Sequence, residues 1–207
     1  MSTRLVTAAR LLMGAIYFLN GFNWWFKIIA PYPSMSDFVL VAPPPDVVGA
    51  MIQNGMLFHI VKATELLTGL ALLTNRFVPL ILVAALPVTV PVFLVDVFFV
   101  ARLRGIIMGA GSMVLNGFLL IAYLNHYCAM LEPRGVPGPL RRDERSNDGG
   151  PVARAIAALA RPIFPALGVL ACSLGAVMLA WLIVMIVQYA AHPTPFWAAH
   201  PPARLSK

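Results

Sequence analysis

Long apolar runs alternate along this chain with short polar or proline-rich breaks, and each run is long enough to be one helix. The first, Leu5 to Ile29, follows Arg4 and contains Arg10. It closes on Asn23-Trp24-Trp25-Phe26-Lys27 rather than on small residues around a cleavage site, so it predicts a retained helix and not a signal peptide. Paired tryptophans before a lysine have the character of an interfacial anchor. From Ala30 to Asp46 come Pro31, Pro33, Pro43, Pro44 and Pro45, a density that forbids a continuous helix.

A second run predicts a span from Val47 to Leu73, closed by a tight turn at Thr74-Asn75-Arg76. A third, Phe77 to Val100, contains Pro79, Pro87 and Pro91. The last two stand four apart on one face and predict a kink. The fourth, Gly105 to Met130, opens with small residues, among them the Gly105/Gly109 pair that suits close helix packing. Glu132 to Arg161 is hydrophilic and reads as a loop, with Pro151 to Ala160 as a short surface helix inside it. A fifth span is expected from Ile163 to Ala191, then an irregular tail, His192 to Lys207.

Composition decides what these helices are. Of 207 residues, 60% are hydrophobic and only 11% charged, with a mean hydropathy of +0.83. That leaves too little polar surface to coat a water-soluble domain. A soluble enzyme, a nucleic-acid binder and a disordered chain are excluded. The expected fold is an all-α membrane protein with four helices bundled over residues 1–131. A basic loop over 132–162, a fifth transmembrane helix over 163–191 and the tail over 192–207 follow. The net charge of +7 includes six arginines between Arg134 and Arg161, which fit topology and anionic lipid head groups. With the N-terminus inside, the inner segments hold those six plus Arg4, Arg10 and Arg76, nine in all. The outer ones hold Lys27, Arg102, Arg104, Arg204 and Lys207, five in all. This asymmetry predicts N-in, C-out. Cys128 and Cys172 lie far apart without a CxxC motif and read as small buried residues.

Ionisable groups inside spans are costly, about 2.5–3.5 kcal/mol each on insertion scales. His59, Lys62 and Glu65 follow one another at spacings of three and share an arc of about 120° on the second span. Two readings of Lys62 and Glu65 stand: a neutralised pair that locks the helix to its neighbours, or part of a titratable site. Tyr17, Asn20, Asn23 and Lys27 share a face of the first span. Asn116 falls near the middle of the fourth, Thr89 near that of the third, and Asp96 further out. Asn20, His59, Lys62, Glu65 and Asn116 thus reach a similar depth and predict a polar ligand pocket in the bundle, opening outward. No zinc, Rossmann or P-loop spacing is present. Of the four histidines only His59 lies well inside a span, which disfavours a bis-histidine haem.

Arg10-x3-Gly14 followed by Asn20-Gly21 and Lys27 resembles the DoxX-like family of small bacterial membrane proteins. So does Glu65-Leu66-Leu67-Thr68-Gly69-Leu70-Ala71-Leu72-Leu73 ahead of a short turn at Arg76. The resemblance covers residues 4 to 127. It implies a four-helix bundle in the bacterial cytoplasmic (inner) membrane. It also implies an association with quinone-linked systems, since some members are subunits or neighbours of thiosulfate:quinone oxidoreductase. Glu65 and Lys27 stand at the family's motif positions. Trp24-Trp25, the proline-rich loop and the fifth helix depart from the pattern.

Three functions follow as expectations. The first is an accessory or small-molecule-binding component of a membrane redox system, with a quinone as ligand. Its partners would be the lipid membrane and other redox subunits or a second copy of itself, and no nucleic acid. The second is a quinone-linked oxidoreductase subunit with its own catalytic role. The third is a small oligomeric transporter.

Overall fold

The structure is a computed structural model that describes residues 2–29, 47–100, 103–131 and 150–193. All regular structure among them is helical: α1 (Ser2–Phe26), α2 (Val47–Asn54), α3 (Met56–Leu73), α4 (Val78–Ala84), α5 (Leu86–Leu94), a π-helical segment (Val95–Val100), α6 (Leu103–Ala122), a 3-10 segment (Leu124–Leu131) and α7 (Pro151–Ala191). The first proline-rich loop, the arginine-rich part of the second loop and the tail beyond Pro193 lie outside the described residues.

Four helices, α1, α3, α6 and α7, are long and apolar enough to cross a membrane, and the bent α4–α5 pair makes up to five. Large apolar side chains cover the outside of the bundle, Leu67, Leu80, Phe98, Ile163 and Val187 among them. An outward hydrocarbon surface of this extent suits lipid rather than water.

α1 ends where Lys27 turns left-handed at φ 52°. The Asn23 side chain fixes the exit by accepting the Ile29 backbone N–H at 2.6 Å. The expected helix from Val47 to Leu73 is instead two pieces. Gly55, at φ 75° and ψ −66°, breaks it; an Asn54-Gly55 step is a turn signal that the surrounding apolar residues concealed. α3 closes as expected at Thr74–Arg76. Asn75 takes a left-handed conformation and the Arg76 N–H returns to the Ala71 carbonyl at 3.0 Å, a glycine-free version of the common helix terminus. The Arg10 guanidinium, reaching across from α1, donates to the Leu72 carbonyl and puts a cation on the C-terminal end of α3.

The third run bends by 43° between α4 and α5. The bend falls at Ala85, within one turn ahead of Pro87, whose ring clashes with the carbonyl four residues back. Pro91 remains inside α5, and the chain widens into the π-helical segment after it. α6 stops at Ala122, short of the expected Met130, and the remainder tightens into the 3-10 segment.

The largest correction concerns α7. The short surface helix and the fifth span are one continuous helix of 41 residues, started by Gly150 and by Pro151 in its first turn. Pro162 and Pro165 are absorbed within it. At 1.5 Å per residue it extends about 60 Å, twice a bilayer's hydrocarbon thickness. Its buried stripe of Ala153, Ala160, Gly168, Ala171 and Gly175 is small, then gives way to Met178 and Leu182. Small residues bring α7 close to both α1 and α6. It is therefore built into the bundle: Ala171, Met178 and Leu182 share one core with Met13, Leu72, Leu82, Leu115 and Phe118.

Candidate functional site

Two buried polar clusters stack one helical turn apart along the bundle axis. The upper one starts from the backbone. A Cβ on Gly21 would lie 2.6 Å from the Leu66 nitrogen and 2.9 Å from the Lys62 carbonyl oxygen. Only glycine permits that approach, so α1 and α3 touch main chain to main chain at this level. The contact brings Asn20 to α3. Lys62 Nζ donates to Glu65 Oε2 at 2.8 Å, and Asn20 Nδ2 donates to the same oxygen at 3.1 Å. Lys62 and Glu65 are each only 5% exposed, which makes this an ion pair of the interior rather than of the surface.

The lower cluster centres on Thr89. Its hydroxyl donates to the Ala85 carbonyl at 3.0 Å. With its single proton used, the oxygen has two lone pairs left. It accepts from Tyr17 Oη at 2.7 Å and from Asn116 Nδ2 at 3.3 Å. One hydroxyl thus joins α1, α5 and α6. Tyr17 precedes Asn20 by three residues, so the clusters are about 4.5 Å apart along α1. Two polar atoms of this buried region have no hydrogen-bond partner among the described residues: Thr68 Oγ1, one turn along α3 from Glu65, and Asn116 Oδ1. Both residues are fully buried.

Lys62, Glu65 and Asn20 therefore come together, and Asn116 joins the neighbouring cluster. His59 does not. Its side chain is exposed, its Nδ1 lies 2.7 Å from the Gly55 carbonyl oxygen and its ring stands edge-on to Trp24 at 5.0 Å. The reason is angular: the buried residues of α3 run from Thr68 round to Lys62, and His59 lies about 60° beyond Lys62, outside that stripe. Trp24 also departs from expectation. It is buried against Phe58, with Lys27 Nζ 4.4 Å over its ring, and only Trp25 has the exposure of an interfacial anchor.

Tyr17, Thr89 and Thr68 belong to the polar core although their residue types gave them little weight. The available signals were the three-residue step from Tyr17 to Asn20 and the place of Thr89 between two helix-bending prolines. Asp96, in the π-helical segment, is partly buried and feels the charges of Lys62, Glu65 and Arg104. Gly105 and Gly109 make room for it, since a Cβ on Gly109 would sit 2.9 Å from the Asp96 Cβ. Among the described residues no three His, Cys, Asp or Glu side chains converge on a common point that a metal ion could occupy. Cys172 Sγ lies 3.5 Å from the Leu5 carbonyl oxygen and links α7 to α1.

The arrangement can hold one net-neutral ion pair in a dry interior. It also offers, within the same buried region, a hydroxyl with a free proton and an amide oxygen with free lone pairs. No family model, curated protein or solved structure matches the chain.

Proposed function

We propose that this chain is a five-span integral membrane protein of the DoxX-like type in the bacterial cytoplasmic membrane, with its N-terminus in the cytoplasm. In this reading it serves a redox system as an accessory, quinone-binding component. The observation that supports the ligand class is the pair of unpartnered buried atoms, Thr68 Oγ1 and Asn116 Oδ1. Leaving such groups unbonded costs about 1–3 kcal/mol each. The reduced quinol relieves both, one hydroxyl oxygen accepting from Thr68 and a hydroxyl donating to Asn116, while the oxidised quinone relieves Thr68 alone. Lys62 and Glu65, one turn away, keep the layer above polar without a net charge. The electrons are exchanged through a partner subunit that carries the cofactor.

The test is extraction. The protein is purified from native membranes in mild detergent and the bound quinone is quantified by mass spectrometry. Wild type is expected to carry quinone near one per chain. Thr68→Val and Asn116→Leu are expected to lose most of it while still folding. Wild-type protein that carries none, or variants that retain all of it, would end this reading.

A further inference from the structure

We infer that one end of the bundle holds an anionic glycerophospholipid, its acyl chain in an apolar groove and its phosphate in the field of the arginines at that end. The groove has a volume of about 340 Å³ and lies between α4, α6, the 3-10 segment and α7, lined by Val83, Leu120, Ile121, Leu124, Met130 and Ile156. Its one polar lining group is withdrawn from use. The Tyr127 hydroxyl donates to the Pro79 carbonyl at 2.8 Å, so the residue presents its ring to the groove. A groove without a free hydrogen-bonding group takes hydrocarbon. Its volume is that of a small-molecule site rather than of a protein interface.

Charge selects the head group. Arg76 is exposed on the turn before α4, and Arg154 and Arg161 are exposed seven residues apart on one side of α7. That side is turned about 140–160° from the groove-lining Ile156, so the two act on a head group through their field rather than by contact. α4 and α7 are two of the elements that form the groove. The two acidic residues among those described, Glu65 and Asp96, stand in the middle of α3 and at the far end of the bent span. The end of the bundle with the groove is thus basic and carries no described carboxylate, which favours phosphatidylglycerol over a zwitterionic lipid. None of this depends on the quinone reading, because the groove and the polar core share no residue.

The experiment uses the full chain in mixed micelles with phosphatidylglycerol or phosphatidylcholine, read by native mass spectrometry. Wild type is expected to retain one phosphatidylglycerol and to prefer it by about fivefold for each engaged arginine. Leu124→Trp, which fills the groove, is expected to cut retention of both lipids about tenfold or more, the equivalent of two methylenes left in water. Ile121→Trp repeats that test from α6 should the first variant fail to fold. Arg76→Gln, Arg154→Gln and Arg161→Gln together are expected to remove the preference while leaving phosphatidylcholine retention as it was. Equal retention of the two lipids by wild type overturns the inference. So does an unchanged lipid load in folded groove-filled variants, or a quinone instead of a phospholipid as the molecule those variants displace.

Discussion

Replacing Glu65 by glutamine keeps the volume of the side chain and an acceptor for Asn20, and removes only the charge facing Lys62. With Nζ and Oε2 at 2.8 Å, the attraction is about 6 kcal/mol at an effective dielectric of 20. In the wild type this attraction is largely offset by desolvation of two ions, each costing several kcal/mol, so the intact pair contributes little net stability. The variant loses the attraction and still holds one ion in the interior. Loss of one partner from a buried pair costs about 3–5 kcal/mol, and that is the expected destabilisation. Replacing both, Lys62→Met with Glu65→Leu, removes both desolvation terms and is expected to return stability to the wild-type level or above. The assay is reversible unfolding in mixed micelles by titration with dodecyl sulfate, followed by tryptophan fluorescence. A Glu65→Gln loss below about 1 kcal/mol, the size of an ordinary substitution, would refute the reasoning. A double variant as unstable as the two single ones added together would refute it equally.

Gly21→Ala is expected to cost about 1–3 kcal/mol in the same assay, because its Cβ would meet the α3 backbone at 2.6 Å. Gly117→Ala, which has nothing within 4 Å of the new methyl, is expected to be stabilising by about 0.5–1 kcal/mol; an equal response at the two sites would mean that α1 and α3 do not touch at Gly21. Tyr17→Phe should lose about 0.5–1.5 kcal/mol, the worth of one hydrogen bond into Thr89, and no loss would show that the phenol is not that donor. In a background with Cys128 and Cys172 replaced by alanine, a cysteine at Ser34 is expected to react with an impermeant reagent outside intact cells and one at Ser146 is not. The opposite pattern would reverse the topology.

Most of the helical organisation was legible because burying a backbone in hydrocarbon leaves few choices, and long apolar runs declare themselves. Where the reading went astray, a local device competed with that pattern. Gly55 breaks a run that hydropathy alone joins. Pro162 and Pro165 suggest a boundary that α7 ignores, because its small stripe packs on α1 and α6 across that level and holds the helix together. In the polar core, Lys62 and Glu65 were visible as residue types too costly to face lipid. His59 shares their spacing, but spacing gives an angle and not where around the helix the buried stripe ends, which depends on how α1 approaches. That approach is set by Gly21 and by Gly69, whose missing side chain faces the Phe18 backbone.

The lower cluster shows why hydroxyl groups are hard to weigh from sequence. Thr89 matters because of where its oxygen points, which the residue type alone does not state. Just after the bend, the Ala85 carbonyl accepts from the Val88 N–H at 3.0 Å, from the Thr89 N–H at 2.8 Å in the ordinary helical bond, and from the Thr89 hydroxyl, the back-bond a threonine makes to the carbonyl four residues earlier. Donation in that direction turns both remaining lone pairs of Thr89 toward the neighbouring helices, where Tyr17 and Asn116 each supply a proton. Three helices share this hydroxyl, and by occupying Asn116 Nδ2 it leaves Asn116 Oδ1 as the open end of the chain of bonds. The open acceptor therefore follows from the direction of the Thr89 back-bond, a local device that a hydropathy pattern does not record.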